Sequence, residues 1–447
     1  MQRNNFIFIL LIFSLLVTLF ADVSEVKAIP AFARKYDVAC TMCHSAFPKL
    51  NDFGVNFRDN GYQMGTDSDL PTSLDKGYFP LSFRSTVGYQ YQKSTNAFNN
   101  PVTQEPYDTS TSGFGSFGID FLSAGTLDRD ISYLVVPTGV FSNLGGAATF
   151  SLESAWIRVD NITGSPMLNF KIGKGDIGIP FSIHRSLTIL SPYLIYTYSP
   201  TVLDVFAFAD HQGIAQLEGH KMDQIGIFRY SVNLVSNNTY GGHDTGYYVH
   251  VTQATRGGGY SSGFRGGLFY LNMPMPTTSD GVNTLSAPID PTTQPTTGGS
   301  SRPISKYGLD LSGNFLQNRL NVFGVVMQGK DDKDLALIVN AQDAAYWGGF
   351  VEANFLYNPK LILIGRYDMI RNTTQADPVM ASASPDKGDQ DALTLAVRYA
   401  ISLHDRGEIW VHTEANSTTS KNTGVDAAAS PINQTNSTLF LGLDFAY

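Results

Sequence analysis

The sequence of 447 residues predicts an all-β fold, a transmembrane antiparallel β-barrel of about 16 strands preceded by a small N-terminal helical segment that we expect to plug the lumen. Charged residues make up only 15% of the chain, whereas glycine, tyrosine and phenylalanine are abundant, which suits a protein whose outer face contacts lipid. From residue 78 onward, apolar side chains recur at every second position. Beyond the N-terminal apolar run, residues 6–20, no stretch reaches about 18 consecutive apolar residues, so the sequence predicts strands rather than helical membrane spans.

Residues 1–28 have the pattern of a secretory signal peptide. Arg3 supplies a positive charge, residues 6–20 are almost entirely apolar, and Val26-Lys27-Ala28 places small residues before an expected cleavage after Ala28. The apolar run is shorter than the roughly 20 residues that span a bilayer, and an uncleaved anchor is the alternative. The sequence therefore predicts export across the inner membrane of a bacterium, with the barrel in the outer membrane.

A Cys-x-x-Cys-His motif follows at Cys40-Thr41-Met42-Cys43-His44. Two cysteines at this spacing can form thioethers with the two vinyl groups of one haem, and the adjacent histidine can then bind the iron. These are the only two cysteines in the chain. A redox disulfide or half of a zinc site are the alternatives, but the next histidine is His184 and no βαβ pattern surrounds the motif. The motif therefore predicts one covalent c-type haem on Cys40 and Cys43, with His44 as the proximal ligand.

The motif lies in a segment, residues 29–77, that is too small to build a robust core of its own. The pattern predicts a short helix over 29–36 and a second helix over 48–59, ended by Asn60-Gly61. The second helix carries an apolar stripe that needs a partner, either a haem face or the barrel wall. The stripe consists of Leu50, Phe53 and Phe57.

Met64, just beyond the Asn60-Gly61 turn, is the expected distal haem ligand. Ligation by histidine and methionine raises the reduction potential, which suits a mild electron donor. A lumen histidine such as His184 is a competing ligand, and a methionine that only packs in the core is the structural alternative.

Residues 78–447 are predicted to form the barrel. The clearest strand is 391–403, in which large apolar residues alternate with small or polar residues and Arg398; the first face suits hydrocarbon and the second a wet lumen. The last strand, 438–447, repeats the pattern except at Phe440 and ends on an aromatic residue. Similar segments lie at 78–93, 112–124, 130–142, 149–161, 167–176, 213–220, 223–236, 244–257, 262–274, 304–314, 318–329, 345–357, 360–370 and 407–417.

The predicted connections alternate between short turns and long loops, as outer-membrane barrels require, whereas a soluble β-sandwich, the alternative fold, does not. An even number of strands places both ends of the barrel in the periplasm, together with the short turns. The predicted long loops are 94–111, 177–212, 275–303, 330–344, 371–389 and 418–436. The run 176–198 is apolar and aromatic, so we expect it to fold into the lumen against the haem segment; an undivided pair of strands is the alternative.

The N-terminal segment resembles the fused cytochrome–porins, monohaem outer-membrane proteins that include the iron oxidases of iron-oxidising bacteria. The resemblance is close in this segment and only architectural in the barrel. Val55 and Asn56 depart from it, because the iron-oxidase members are expected to carry a basic residue after the glycine. The resemblance rests on Ile29-Pro30-Ala31-Phe32-Ala33-Arg34, Cys40-Thr41-Met42-Cys43-His44, Phe47-Pro48-Lys49-Leu50-Asn51, Phe53-Gly54 and Asn60-Gly61-Tyr62.

The resemblance implies a haem plug inside a porin that moves electrons across the outer membrane. The expected donor is extracellular Fe(II) or a mineral, the expected acceptor is a periplasmic cytochrome or other carrier, and the activity would be that of an Fe(II):cytochrome oxidoreductase. A solute porin with a haem-bearing gate or sensor, and a conduit that delivers electrons outward, are the alternatives.

We predict no catalytic residue in this chain. The acidic run Asp331-Asp332-Lys333-Asp334 could attract Fe(II), although such a run is usually only a solvated loop. Apart from the haem motif, no spacing of histidines indicates a metal site. The net charge of −9 argues against a nucleic-acid partner.

Overall fold

The computed structural model describes the chain from Ala31 to Ala446 with gaps. Three parts of the predictions lie outside the described residues. These are the signal peptide, Phe47, which follows the Cys-x-x-Cys-His motif, and the C-terminal Tyr447. The described ranges are 31–46, 48–65, 80–99, 106–141, 149–201, 204, 206–236, 245–255, 263–275, 302–335, 342–374, 388–404, 407–425 and 431–446.

Within these ranges, sixteen antiparallel strands form a closed barrel in which each strand pairs with its neighbours in the chain and the last strand pairs with the first. Each of the sixteen predicted strands corresponds to one of them, so the predicted fold class is confirmed. The strands are β3 Ser82–Asn99, β4 Pro106–Asp128, β5 Ile131–Phe141, β6 Thr149–Val159, β7 Asn169–Gly175, β8 Gln212–Met222, β9 Gly226–Ser236, β10 Thr245–Thr255, β11 Phe264–Met275, β12 Arg302–Phe315, β13 Leu320–Asp331, β14 Ala344–Asn358, β15 Leu361–Thr374, β16 Gln390–His404, β17 Gly407–Val425 and β18 Pro431–Ala446.

The two faces of the wall have opposite polarity. On β16, Leu393 and Leu395 are 51% and 55% exposed, whereas Thr394 and Arg398 are completely buried. Successive side chains of a strand point to opposite faces, so the leucines face outward and the arginine faces the lumen, as predicted. A soluble sandwich would bury the leucines instead.

Phe440 breaks the alternation of β18 because it faces the lumen. Its ring occupies the space beside two glycines on paired positions of β3 and β18, Gly88 and Gly442. A Cβ atom on either glycine would lie within about 2.5 Å of that ring. The exception in the sequence pattern is therefore an aromatic ring that fills a gap left by glycine.

The connections at one end of the barrel are the shortest, for example 129–130, 316–319 and 359–360, and the longest ones, such as 176–211 and 276–301, lie at the other end. The alternation is weaker than predicted. Strands β3, β4, β17 and β18 continue beyond their predicted ends, which reduces two expected long loops to 100–105 and 426–430.

Two segments outside the wall contribute further elements. The first, residues 31–65, is called the plug here and contains α1 (Ala31–Tyr36), the hairpin β1 (His44–Ala46) and β2 (Lys49–Leu50), and α2 (Asp52–Asp59). The second predicted helix thus begins at Asp52 rather than at residue 48, because residues 49–50 pair with β1 instead. No helix in the described ranges is both long and apolar enough to cross a membrane.

The second segment is the connection between β7 and β8, residues 176–211, called the inward loop here; it contains α3 (Leu194–Thr197). Its side chains reach strands on several sides of the lumen: the Tyr193 ring stacks on Phe350 of β14 at 3.9 Å, and Arg366 of β15 donates to the carbonyl oxygen of Ser191 at 2.7 Å. The backbone N–H of Ile189 donates to Glu414 of β17 at 2.6 Å. The expectation of a loop folded into the lumen is therefore correct, and the alternative of an undivided strand pair is wrong.

Candidate functional site

The Cys-x-x-Cys-His motif forms one tight turn in the plug. Residues Cys40–Met42 make a 3₁₀ turn, closed by a hydrogen bond from the Cys43 N–H to the Cys40 carbonyl oxygen at 3.1 Å. His44 follows at once as the first residue of β1. Both thiols are half-buried and not joined in a disulfide, and burial raises the pKa of the Cys43 thiol to about 11. Two thiols and one imidazole are therefore presented by five consecutive residues.

Asn51 clamps this turn. Its side-chain nitrogen donates to the carbonyl oxygens of Thr41 and Met42 at 3.1 and 3.0 Å, and its backbone N–H donates to that of Cys43 at 2.9 Å. Its side-chain oxygen meanwhile caps α2 by accepting from the Gly54 N–H at 3.0 Å. One side chain thus ties the motif to the start of the second helix.

Gly54 lets α2 approach the motif. A Cβ atom at this position would lie only 2.1 Å from the Cys43 carbonyl oxygen, a distance that no side chain tolerates. The asparagine and glycine of the motif context therefore have a mechanical role, since they hold the Cys40–His44 turn against α2.

An apolar cluster joins the motif to the barrel wall. It is centred on Phe57, Tyr62 and Ala124 of β4, and Cys43 and Met64 pack against it. The structure thus brings Met64 into the same cluster as the second cysteine of the motif. Four further side chains pack against this cluster: Phe32, Tyr36, Leu134 and Trp156.

The predicted apolar stripe of the second helix divides between two environments. Phe57 is buried in this cluster and lies 5.0 Å from the Phe32 ring, whereas Phe53 is 36% exposed. Trp156 of β6 stacks on Tyr62 at 6.2 Å, so the cluster meets the wall directly. The wall is therefore one partner of the stripe, and Phe53 remains accessible.

Arginines of the wall anchor the end of α2. Arg229 of β9 pairs with the Asp59 carboxylate at 2.7 Å and donates to the Asn56 side chain at 3.0 Å. Arg158 of β6 donates to the backbone carbonyl oxygen of Arg58 at 3.0 Å. A basic residue at position 56 would face the Arg229 guanidinium, whereas the Asn56 side-chain oxygen accepts a hydrogen bond from it.

Further polar contacts place the plug at the short-turn end of the lumen. The Gln63 side chain donates to the Arg129 carbonyl oxygen in the β4–β5 turn at 2.6 Å, and the Ala31 N–H donates to the Ser82 hydroxyl at the start of β3 at 2.7 Å. Near the opposite end, the inward loop bonds Asn372 and Asp331 through Tyr198 and Thr201. The two segments therefore fill successive parts of the lumen. They meet in one buried cluster that contains Ala46 and Leu187.

A cavity of about 460 Å³ lies between the plug, the inward loop and the wall. Eight basic side chains line it against five acidic ones, which are Asp52, Asp59, Asp176, Glu218 and Glu352. The basic lining residues are Lys49, Arg58, Arg158, Lys171, Arg185, Arg229, Arg265 and Arg319.

Asp331 does not behave as a solvated loop residue. It is the last residue of β13, is completely buried, and accepts a hydrogen bond from the Thr201 hydroxyl at 2.6 Å. The acidic run therefore contributes one carboxylate to the support of the inward loop, and the expectation of a solvated loop is wrong for Asp331.

His184, the competing haem ligand, lies in a different group of side chains. Its ring is 4.2 Å from the His211 ring, and its Nδ1 atom lies 3.5 Å from the Glu153 carboxylate. One possible ligand atom from each of the three residues falls within 4.8 Å of the others. This cluster cannot be recognised in the sequence, because residues 153, 184 and 211 have no characteristic spacing and meet only in the closed barrel.

Comparisons with known proteins support the fold. No protein-family model matches the sequence, and no curated protein matches it by sequence. Among solved structures, the chain is similar to an anion-selective porin from Comamonas acidovorans, with a TM-score of 0.52 at 11% identity over 82% of this chain and 98% of the porin. The likeness to this porin shows a shared barrel fold.

Two further solved structures are more distant. The outer-membrane channel DcaP of Acinetobacter baumannii matches with a TM-score of 0.48 at 8% identity, over 81% of this chain and 96% of that channel. OprB of Pseudomonas putida matches with a TM-score of 0.47 at 12% identity, over 84% of this chain and 95% of OprB.

The fold and the polarity of its faces determine where the protein resides. A closed barrel leaves no strand edge unpaired, and its outer face is apolar while its interior is charged, which is the arrangement that a lipid bilayer requires. The chain is therefore a bacterial outer-membrane protein with a sixteen-stranded barrel fold, in contact with lipid.

Proposed function

We propose that the protein is an outer-membrane electron conduit with one c-type haem attached to Cys40 and Cys43. The observation that carries the proposal is the Cys40–His44 turn, which Asn51 and α2 hold within a plug anchored to the barrel wall. A cytochrome motif on a loose tail would need none of these contacts.

The side chains present suit such a group. Cys40 and Cys43 offer two thiols on one turn, His44 is the proximal ligand, and Met64 is the distal ligand that we favour because it packs in the same cluster as Cys43. When bound, the haem supplies one-electron transfer, and ligation by histidine and methionine raises its potential.

The rest of the chain carries this motif into the membrane and fills the space around it. A hydrocarbon layer about 30 Å thick blocks charge transfer, and the barrel replaces that layer with protein. The plug and the inward loop occupy the lumen that would otherwise hold water. We propose extracellular Fe(II) or a mineral as donor and a periplasmic cytochrome or other carrier as acceptor; outward electron flow is the alternative direction.

A solute channel is the second candidate function. The porin fold and the cavity of about 460 Å³ with its basic lining favour it, since such a cavity suits small anions. In that case the plug acts as a gate or sensor, and Arg229 and Arg158 hold the gate closed.

The first test asks whether the haem is attached. The protein is produced with a c-type haem maturation system, denatured, and examined by haem staining and by its pyridine haemochrome spectrum. One haem per chain is expected, with loss of covalent haem in Cys40→Ala/Cys43→Ala. Thr41→Ala is the matched control, because Thr41 lies in the same turn with an exposed side chain. Wild-type protein without covalent haem would overturn the proposal.

The second test separates the two functions. Proteoliposomes that enclose an electron acceptor are mixed with Fe(II) in a stopped-flow instrument, and the ion conductance of the same protein is recorded in planar bilayers. A conduit reduces the enclosed acceptor at low conductance. High conductance without acceptor reduction would support the channel, and reduction by dithionite but not by Fe(II) would remove iron as the donor.

A further inference from the structure

Glu153 lies on the barrel wall, whereas His184 and His211 both lie on the inward loop, 27 residues apart. Glu153 belongs to β6, His184 to the 3₁₀ turn Ile183–Arg185 of the inward loop, and His211 immediately precedes β8. The side chains of Glu153 and His184 are 21% and 24% exposed. The cluster lies apart from the cysteines of the plug, and neither proposed function uses it.

A β-bulge directs Glu153 into the cluster. Val136 of β5 pairs with Ser154 and the next residue, Pro137, pairs with Leu152, so Glu153 is an extra residue in β6. In a regular strand Glu153 would share the outward face with Ile157 and Val159. Such bulges re-aim single side chains and are frequent beside functional sites.

The carboxylate is oriented by a second contact. Its Oε2 atom accepts a hydrogen bond from the Thr138 hydroxyl at 3.2 Å. Its Oε1 atom faces the histidines and lies 3.5 Å from His184 Nδ1 and 3.9 Å from His211 Nδ1. Atoms that share one metal ion at bonds of about 2.1 Å lie about 3.0–3.4 Å apart. The three ligand atoms lie within 4.8 Å of one another, so they must move closer together by up to about 1.5 Å to share an ion.

Both imidazoles have nitrogen atoms available to a ligand. Among the described residues, His211 Nδ1, which faces Glu153, is buried and has no hydrogen-bond partner, and the His211 side chain is only 8% exposed. His184 faces Glu153 with its Nδ1 atom, and its other ring nitrogen, Nε2, is likewise buried without a partner. Buried ring nitrogens usually have a partner, so these two indicate a missing one. The neighbouring Arg185 lies 3.3 Å from Asp176, which offsets its positive charge.

We propose that Glu153, His184 and His211 bind one divalent first-row transition-metal ion through two imidazole nitrogens and one carboxylate oxygen. Two histidines and one carboxylate with open positions are the ligand set of Fe(II) and Zn(II) sites. The Thr138 contact supplies the outer support that orients such a carboxylate. The site does not depend on the haem.

The experiment uses the full-length protein in detergent after treatment with a chelator. Isothermal titration with Zn(II), and with Fe(II) under anaerobic conditions, is expected to show one ion per chain. Glu153→Gln and His184→Gln, on the wall and on the loop, should each weaken binding about 100-fold. His220→Gln is the control, because His220 also lines the central cavity but is not part of the cluster.

Equal binding by wild type and both cluster variants would overturn the site, as would a wild type that binds no ion. X-ray absorption at the zinc edge gives a readout that needs no variant and that haem iron does not disturb. Imidazole scattering from two histidines is expected, and a shell of oxygen alone would contradict the proposal. A preference between Fe(II) and Zn(II) in competition identifies the ion that the site takes. Loss of the haem would leave all of these results unchanged.

Discussion

The plug and the inward loop both lie in the lumen, but different interactions hold them there. Apolar side chains of the loop, among them Tyr193 and Ile195, belong to one large buried cluster with side chains of the strands around them. The plug has a small cluster around Phe57 and Tyr62, contributes only Ala46 to a second cluster, and is held to the wall by several polar contacts. The loop is therefore part of the core of the barrel, whereas the plug is docked, and single substitutions should separate the two behaviours.

The largest expected effect is on the loop. Tyr193→Ala removes a ring that is 1% exposed and stacked on Phe350, so the free energy of unfolding should fall by about 3–5 kcal/mol. Urea unfolding in detergent, monitored by tryptophan fluorescence, measures this loss of free energy. Phe53→Ala in the plug is the control, with an expected loss of about 1 kcal/mol or less because Phe53 is already 36% exposed. Equal losses would contradict the distinction between core and docked segment.

A smaller effect is expected when an anchor of the plug is removed. Arg229→Ala breaks the contacts that tie Asp59 and Asn56 to the wall, while Asp59 keeps its pair with Arg58, so docking should weaken by about 3 kcal/mol. Hydrogen exchange of α2 amides should accelerate by about 100-fold, while that of the barrel strands stays constant. Lys93→Ala breaks an exposed pair with Asp108 and should change neither rate. Faster exchange throughout the barrel in Arg229→Ala would show that the plug is not a separate unit.

A third effect concerns the contact between α2 and the motif. In Gly54→Ala the new methyl group would meet the Cys43 carbonyl oxygen, and the displacement should cost the plug about 1–3 kcal/mol. The rate of hydrogen exchange at the Cys43 and Asn51 amides measures this cost. Gly118→Ala on β4 is the matched control, because a Cβ atom there meets nothing within 4 Å. Unchanged exchange in Gly54→Ala would show that the turn does not need the close approach.

The smallest effect is a pH dependence of docking. Burial raises the pKa of Asp52 from 3.8 to about 7, although Arg229 and Arg265 oppose the shift. Between about pH 4 and pH 7 the docked plug therefore retains a proton that the undocked carboxyl has lost, so docking weakens as the pH rises through this window. Asp52→Asn should flatten the α2 exchange profile there. A wild-type profile that is already flat, or one that strengthens with pH, would contradict the assignment.

Much of the barrel was predictable because the signal is local. Each strand alternates between lipid and lumen, so side chains such as Leu395 and Arg398 reveal their environment without knowledge of any partner. The count, order and faces of the strands follow from this alternation and are confirmed. The ends of the strands were less predictable, since polar residues at 94–99 and 418–425 pair as strand although their composition suits a loop.

The candidate sites divide in the same way. The motif at residues 40–44 is visible in the sequence because its ligands are adjacent, and its assignment to a haem remains a prediction. The cluster of Glu153, His184 and His211 is not recognisable in the sequence. A bulge in β6 and the two ends of the inward loop bring its members together. In the sequence, Asn51 stands out only as part of the resemblance to the cytochrome–porins. The structure adds that its side chain holds the Cys40–His44 turn through two hydrogen bonds.

By itself, the sequence determined that this chain is a sixteen-stranded barrel with a Cys-x-x-Cys-His segment at its N-terminal side, because periodicity and adjacent residues are properties of short stretches. Only the tertiary structure decided what fills the lumen. The hydrogen bond from Ile189 to Glu414 joins positions 225 residues apart, and it exists only once the barrel has closed around the loop. Contacts inside a lumen depend on which strands face one another across it, and no local pattern encodes that arrangement.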